Sequence, residues 1–275
     1  GNMYTHWKNF DFVTSGSTTL VVTIGESWTW GDSLGKTKHT IYDDKKFRLA
    51  NVYGGQLANM INADFLNIAA PGQSNLWIST HFKLLMDNID QFQYNNIIVI
   101  LTLTEVGREF NGDLDQQRDY MTALKDISNL DSFLHILSSY ITKDILSVDT
   151  TNIKLLVGTN FIDSNYSPSL NVLDKSWVNV IADELQQTIP DNNCYTVLSW
   201  VFERFHGLLE FTPDYKKEDF LSDMLINMEK ADMVTDFLLS SKFNYNQASK
   251  HPTPEGHTLW ANYLFNKLKT QQEGW

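Results

Sequence analysis

Short apolar runs rich in Val, Ile and Leu alternate with longer stretches in which apolar residues recur every three or four positions. The short runs have the length of buried strands and the longer stretches the period of helices that cover a sheet, a pattern of βαβ units. The predicted strands are residues 20–24, 65–68, 97–103, 153–157 and 195–198. Between the first two, Leu49, Val52, Tyr53, Leu57, Met60 and Ile61 follow one helical face, interrupted by Gly54 and Gly55. Near the end, Thr253 followed by Pro254 predicts an N-cap with proline at the first helical position, ahead of Leu259, Trp260, Tyr263, Leu264 and Leu268. The expected class is α/β, a doubly wound, flavodoxin-like three-layer sandwich around a five-stranded parallel sheet. Ligands of that architecture sit beyond the carboxyl ends of the strands.

One stretch breaks the alternation. About fifty residues separate the fifth strand from His251, far more than the usual connection of about 2–6 residues. Phe220, Leu221, Met224, Leu225, Met228, Phe237 and Leu238 suggest an amphipathic helix within it, so an inserted helical cap is expected over about residues 201–247. With no internal repeat or flexible linker, a single domain spanning residues 1–275 is the expected organisation.

Composition narrows the function classes. Hydrophobic residues make up 42 % of the 275 and aromatics 13 %, enough for a compact core. Acidic residues outnumber basic ones 33 to 21, for a net charge of −12, which argues against phosphate-backbone binding. The lone Cys194 can form neither an internal disulfide nor a thiolate metal cluster. The longest apolar run, residues 97–103, is far short of the roughly 20 residues of a membrane helix. Residues 1–8 lack the charged and apolar regions of a signal peptide, so a soluble protein is expected, with its compartment left open.

Candidate chemistry gathers where strands end. The first strand runs into Gly25, Glu26, Ser27, Trp28, Thr29, Trp30 and Gly31. A serine standing directly after a buried strand, on a tight turn into a helix, exposes its hydroxyl beside backbone N–H groups, which makes Ser27 the candidate nucleophile. Gly31, Asp32, Ser33 and Leu34 spell GDSL but fall past the strand end, so Ser33 is not expected to serve. The phosphate-loop pattern fails because Trp30 stands where glycine is required, and the GxSxG elbow fails at Thr29. After the second strand, Gly72 sits in Ala70, Pro71, Gly72, Gln73, Ser74, where a glycine lets a backbone N–H approach a substrate oxygen; it is the oxyanion candidate. His251 lies in the loop before the last helix and is the candidate base, while His257, inside that helix, is expected to cap or pack. His6, His39, His81, His135 and His206 show no metal-ligand spacing, and neither a cofactor nor a metal is expected.

Taken in order, these segments resemble the SGNH hydrolases, the GDSL esterase and lipase superfamily. Gly25, Glu26 and Ser27 match the family's Gly-Asp-Ser nucleophile block, Gly72 its oxyanion glycine, and His251, Pro252, Gly256 and His257 its catalytic histidine block. Two positions depart from the pattern. Where the family carries Gly-x-Asn-Asp after the third strand, this chain has Thr102, Leu103, Thr104 and Glu105, leaving the Thr104 hydroxyl as the remaining oxyanion donor of that block. Where the family places its acid, two or three residues before the histidine, stand Ser249 and Ala248; a backbone carbonyl, or Asp232 or Asp236 of the insertion, would have to orient the imidazole.

The resemblance implies a serine esterase or deacetylase. His251 would deprotonate Ser27, the hydroxyl would attack a small acyl ester, and the N–H groups of Ser27 and Gly72 with Thr104 would hold the oxyanion. Trp28, Trp30 and Trp77 near the predicted site point to a carbohydrate ester among the substrates, with Trp28, Glu105 and Arg108 as candidate substrate contacts; core packing is the competing role for the tryptophans. Two rivals stand beside this expectation: an SGNH-fold binding or structural protein that has lost activity, and an acyltransferase or thioesterase using the same dyad.

Overall fold

The computed structural model of the chain describes residues 7, 9–35, 44–104, 130–161, 168–186, 245–246 and 251–271; at 130–137, 168 and 245–246 it describes the backbone alone. Five strands form the central sheet: β1 (Asp11–Val13), β2 (Thr19–Gly25), β3 (Asp64–Ala69), β4 (Asn96–Leu103) and β5 (Lys154–Thr159). Their order is β1-β3-β2-β4-β5. The last four are mutually parallel, with Val22 opposite Leu66 on one side and Val99 on the other.

Alternate residues of each strand point to opposite faces, which divides the core in two. Leu20, Val22, Ile24, Leu66, Ile68, Val99, Leu101 and Val157 meet α4 (Asn75–Asp87) and α5 (Leu130–Leu146). On the other face, Val21, Phe65, Ile98, Ile100 and Leu156 meet α3 (Tyr53–Met60), α6 (Trp177–Glu184) and α7 (Pro254–Thr270). Apolar residues on both faces explain why these strands read as continuous hydrophobic runs. Helices on both sides of the sheet complete the doubly wound sandwich. The order of the parallel strands turns back beside β2, so the crevice between β2 and β4 at their carboxyl ends is the topological switch point.

Three expectations need correction or limits. The sheet is mixed, since β1 pairs antiparallel with β3, Asp11 opposite Asn67. Three residues beginning with an aspartate give no apolar run. The edge is held instead by Arg48, whose guanidinium meets the Asp11 carboxylate at 2.7 Å and lies over the Trp30 ring. The helical face from Leu49 to Ile61 is two helices, α2 (Lys45–Asn51) and α3, because Val52 adopts an extended conformation, φ −64° and ψ 146°, between them. The predicted strand 195–198 lies outside the described residues, as does the expected cap, apart from the backbone of β6 (Tyr245–Asn246). That strand pairs antiparallel with β7 (His251–Pro252). The terminal helix forms as expected, with Thr253 Oγ1 accepting from Gly256 N–H and Pro254 at the helix start.

Candidate active site

Ser27 opens α1 (Ser27–Trp30), a single turn directly after β2. Gly25 makes that turn feasible: a Cβ there would overlap the Thr29 hydroxyl. Gly31, at φ 92°, ends the turn and donates to the Ser27 carbonyl. Ser27 is 5 % exposed, and its Oγ lies 3.0 Å from His251 Nε2, a contact across most of the chain length that β7 and the N-terminus of α7 set up. As the first helical residue, Ser27 also carries an N–H that α1 cannot use internally.

The preceding residue, Glu26, is 1 % exposed and carries a dense set of bonds. Its Oε1 accepts from Trp28 N–H at 2.9 Å and from Asn160 Nδ2 at 2.7 Å; its Oε2 accepts from Ser27 Oγ at 2.7 Å. Asn160 comes from the carboxyl end of β5 and is itself fixed by N–H donation to Leu103 and by Val178 N–H donating to its carbonyl. A second carboxylate, Asp32, brings Oδ2 to 3.5 Å from His251 Nε2. The GDSL-like string therefore does reach the site, through its aspartate; Ser33 sits at φ 68° and donates to Asp32 Oδ1 at 3.4 Å.

Gly72 follows β3 at φ 76°, a conformation that favours glycine, and an added Cβ there would meet only open space. Its loop is drawn toward the serine turn by Ala70 N–H donating to the Gly25 carbonyl. Thr104, at the end of β4, is buried and exchanges two hydrogen bonds with Asn75: Asn75 Nδ2 donates to its carbonyl and its own N–H donates to Asn75 Oδ1. Its N–H is thus committed to Asn75, and an oxyanion contribution from Thr104 rests on the hydroxyl alone.

Trp28 stands next to Ser27 with its ring turned inward. It is 5 % exposed and packs against Phe161 and Trp177 in the core, because the first turn of α1 directs its ring toward α6. Trp30 lies beneath Arg48, and Trp77 stacks on His81 at 3.8 Å. Glu105 and Arg108 fall outside the described residues. His257 packs, as expected: it is fully buried, its Nδ1 accepts from Tyr53 N–H at 3.0 Å, and burial, reinforced by the nearby His251, pushes its pKa down to about 3. Tyr53, whose phenol burial pushes well above its ordinary value, spans Thr29 and Thr102 beneath the serine turn. Among the described residues no cluster of His, Cys, Asp and Glu could hold a metal ion. Glu26, Asp32, Asn75 and Asn160 were not selected by sequence reasoning. Only the first two carried a signal, as the family-motif neighbours of Ser27 and Ser33.

A doubly wound α/β sheet bearing a serine–imidazole pair at its switch point defines the class of site. No protein-family model and no curated protein matches the chain. Solved structures similar to it include a member of the lipolytic protein G-D-S-L family from Veillonella parvula, at 13 % identity over 92 % of this chain and 99 % of that one, TM-score 0.38. The lipase/acylhydrolase from Enterococcus faecalis is similar at 10 % identity over 92 % and 96 % of the two chains, TM-score 0.36. A carbohydrate esterase, whose active site displays divergent catalytic and non-catalytic binding functions, is similar at 14 % identity over 94 % of this chain and 70 % of that one, TM-score 0.40.

Proposed function

We propose that the chain is a divergent SGNH hydrolase, a serine esterase that cleaves small acyl esters with Ser27 as nucleophile and His251 as its proton-transfer partner. The 3.0 Å contact between Ser27 Oγ and His251 Nε2, at the carboxyl edge of the sheet, carries this reading. The hydroxyl attacks the ester carbonyl, and the N–H groups of Ser27 and Gly72, with the Thr104 hydroxyl, receive the oxyanion. Water then releases the acyl group. With Trp28 in the core, Trp30 beneath Arg48 and Trp77 stacked on His81, the three tryptophans take packing roles, so simple acetate esters come first in the assay and acetylated oligosaccharides second.

The test is hydrolysis of a short-chain acyl ester series by the full chain beside Ser27→Ala. Turnover that falls by on the order of 10⁴-fold or more in the variant supports the reading. Equal rates in the two proteins overturn it.

A further inference from the structure

We propose that Asp32 is a specificity-determining residue that selects esters whose alcohol carries a positive charge, the short acyl esters of amino alcohols. This rests on the serine-esterase reading above and names the substrate class of that site. Asp32 Oδ2 lies 3.5 Å from His251 Nε2, the same nitrogen that lies 3.0 Å from Ser27 Oγ. An acid that orients a catalytic imidazole works from its Nδ1 side. Asp32 instead comes to the reacting edge of the ring, alongside the nucleophile, with 23 % of its side chain exposed.

The carboxylate is tied to the residue that carries the nucleophile. Asp32 N–H donates to the Ser27 carbonyl at 3.0 Å, and Ser33, held at φ 68°, donates its hydroxyl to Oδ1 at 3.4 Å, which leaves Oδ2 for the site. Among the described residues no lysine or arginine pairs with Asp32 or with Glu26. Lys45 and Arg48, farther along the chain, both meet Asp11 at the sheet edge. Glu26 is shut away from solvent and committed to Trp28 N–H, Asn160 and Ser27, so of the two carboxylates Asp32 is the one that a bound substrate can meet.

Which half of the ester meets Asp32 follows from the chemistry of the pair. In a serine hydrolase the histidine Nε2 passes its proton to the leaving group, so the alcohol oxygen of a bound ester sits at Nε2 and the alcohol chain runs beside Asp32. A cation two or three carbons from that oxygen is then a near neighbour of Oδ2. Attraction between unlike charges across a short, partly wet gap raises kcat/KM for such an ester, and repulsion lowers it for an anionic one. The chain's net charge of −12 adds a longer-range pull on cations that salt screens.

The experiment compares kcat/KM for acetylcholine and for 3,3-dimethylbutyl acetate, an uncharged ester of the same shape, at low ionic strength in the full chain and in Asp32→Asn. The readout is the ratio of the two values, because a merely structural loss lowers both esters together and leaves the ratio where it was. The expected result is a wild-type preference of about tenfold for the cationic ester, falling by about threefold or more in Asp32→Asn. A wild-type ratio under about fivefold overturns the proposal without recourse to any variant. So does a folded Asp32→Asn protein whose ratio falls by less than about threefold, since the preference then belongs to other charges. Either result leaves the serine esterase standing, because ester is still cleaved. A wild type that cleaves neither ester overturns both.

Discussion

Two histidines six positions apart lie in very different surroundings. His251, on β7, keeps 19 % of its side chain exposed and puts Nε2 between a serine hydroxyl and a carboxylate. His257, one turn into α7, is fully buried, spends Nδ1 on a backbone N–H and meets the ring of Trp177 edge-on. The first has a hydroxyl and a carboxylate within reach of its Nε2; the second is held neutral across the physiological range because burial penalises its charged form. Proximity to the active site therefore does not make a histidine functional. Partners and access to water decide.

The largest separation of the pair should come from asparagine substitution. His251→Asn is expected to cut kcat/KM by on the order of 10³-fold or more with little change in thermal stability, and His257→Asn to stay within about tenfold in rate while losing stability. Matching rate losses in steady-state assays would break the contrast. Next in size, Gly25→Ala should move the serine turn away from both its partners, lowering activity by about 10²-fold and stability by about 1–3 kcal/mol. Paired ester-hydrolysis and urea-unfolding measurements check both figures.

The buried histidine has its own signature in pH. An unfolded histidine binds a proton near 6.5 and the folded His257 only near 3, so between those values the unfolded state holds more protons. Its contribution to stability is therefore fully present above pH 6.5 and is lost as pH falls toward 3, at about 1.4 kcal/mol per unit. His257→Leu should lower stability at pH 7 by about 1–2 kcal/mol through the unpaired Tyr53 N–H, yet show a shallower decline across that window in urea midpoints. A parallel decline would assign the dependence to other groups. The smallest effect is expected at Asp32→Asn. The carboxylate is partly exposed, and its loss should change kcat/KM by about fivefold.

The same contrast marks what the sequence makes legible. The central strands are buried on both faces and announce themselves as apolar runs, and the Thr253–Pro254 cap marks α7 to the residue. Ser27 and His251 are legible because the one comes just after a recognisable strand and the other just before a recognisable capped helix. The edge strand Asp11–Val13 could not, since it is held by a buried arginine rather than by apolar pattern. Beside the histidine, where the family pattern places its acid, the chain has Ser249 and Ala248, and the structure instead brings Glu26 and Asp32 to the serine side. The reach of Glu26 to Asn160 depends on the register of β5 against β4, which spacing along the chain does not encode. Trp28, Trp30 and Trp77 read as the rings of a sugar site until their packing is seen.

The most direct measurement is the mass and location of a fluorophosphonate adduct on the folded chain. The account predicts a single adduct on the peptide containing Ser27, formed at a rate that drops at least a hundredfold in His251→Asn and vanishes in Ser27→Ala. Absence of an adduct at Ser27, or an equal labelling rate without the His251 imidazole, would contradict it.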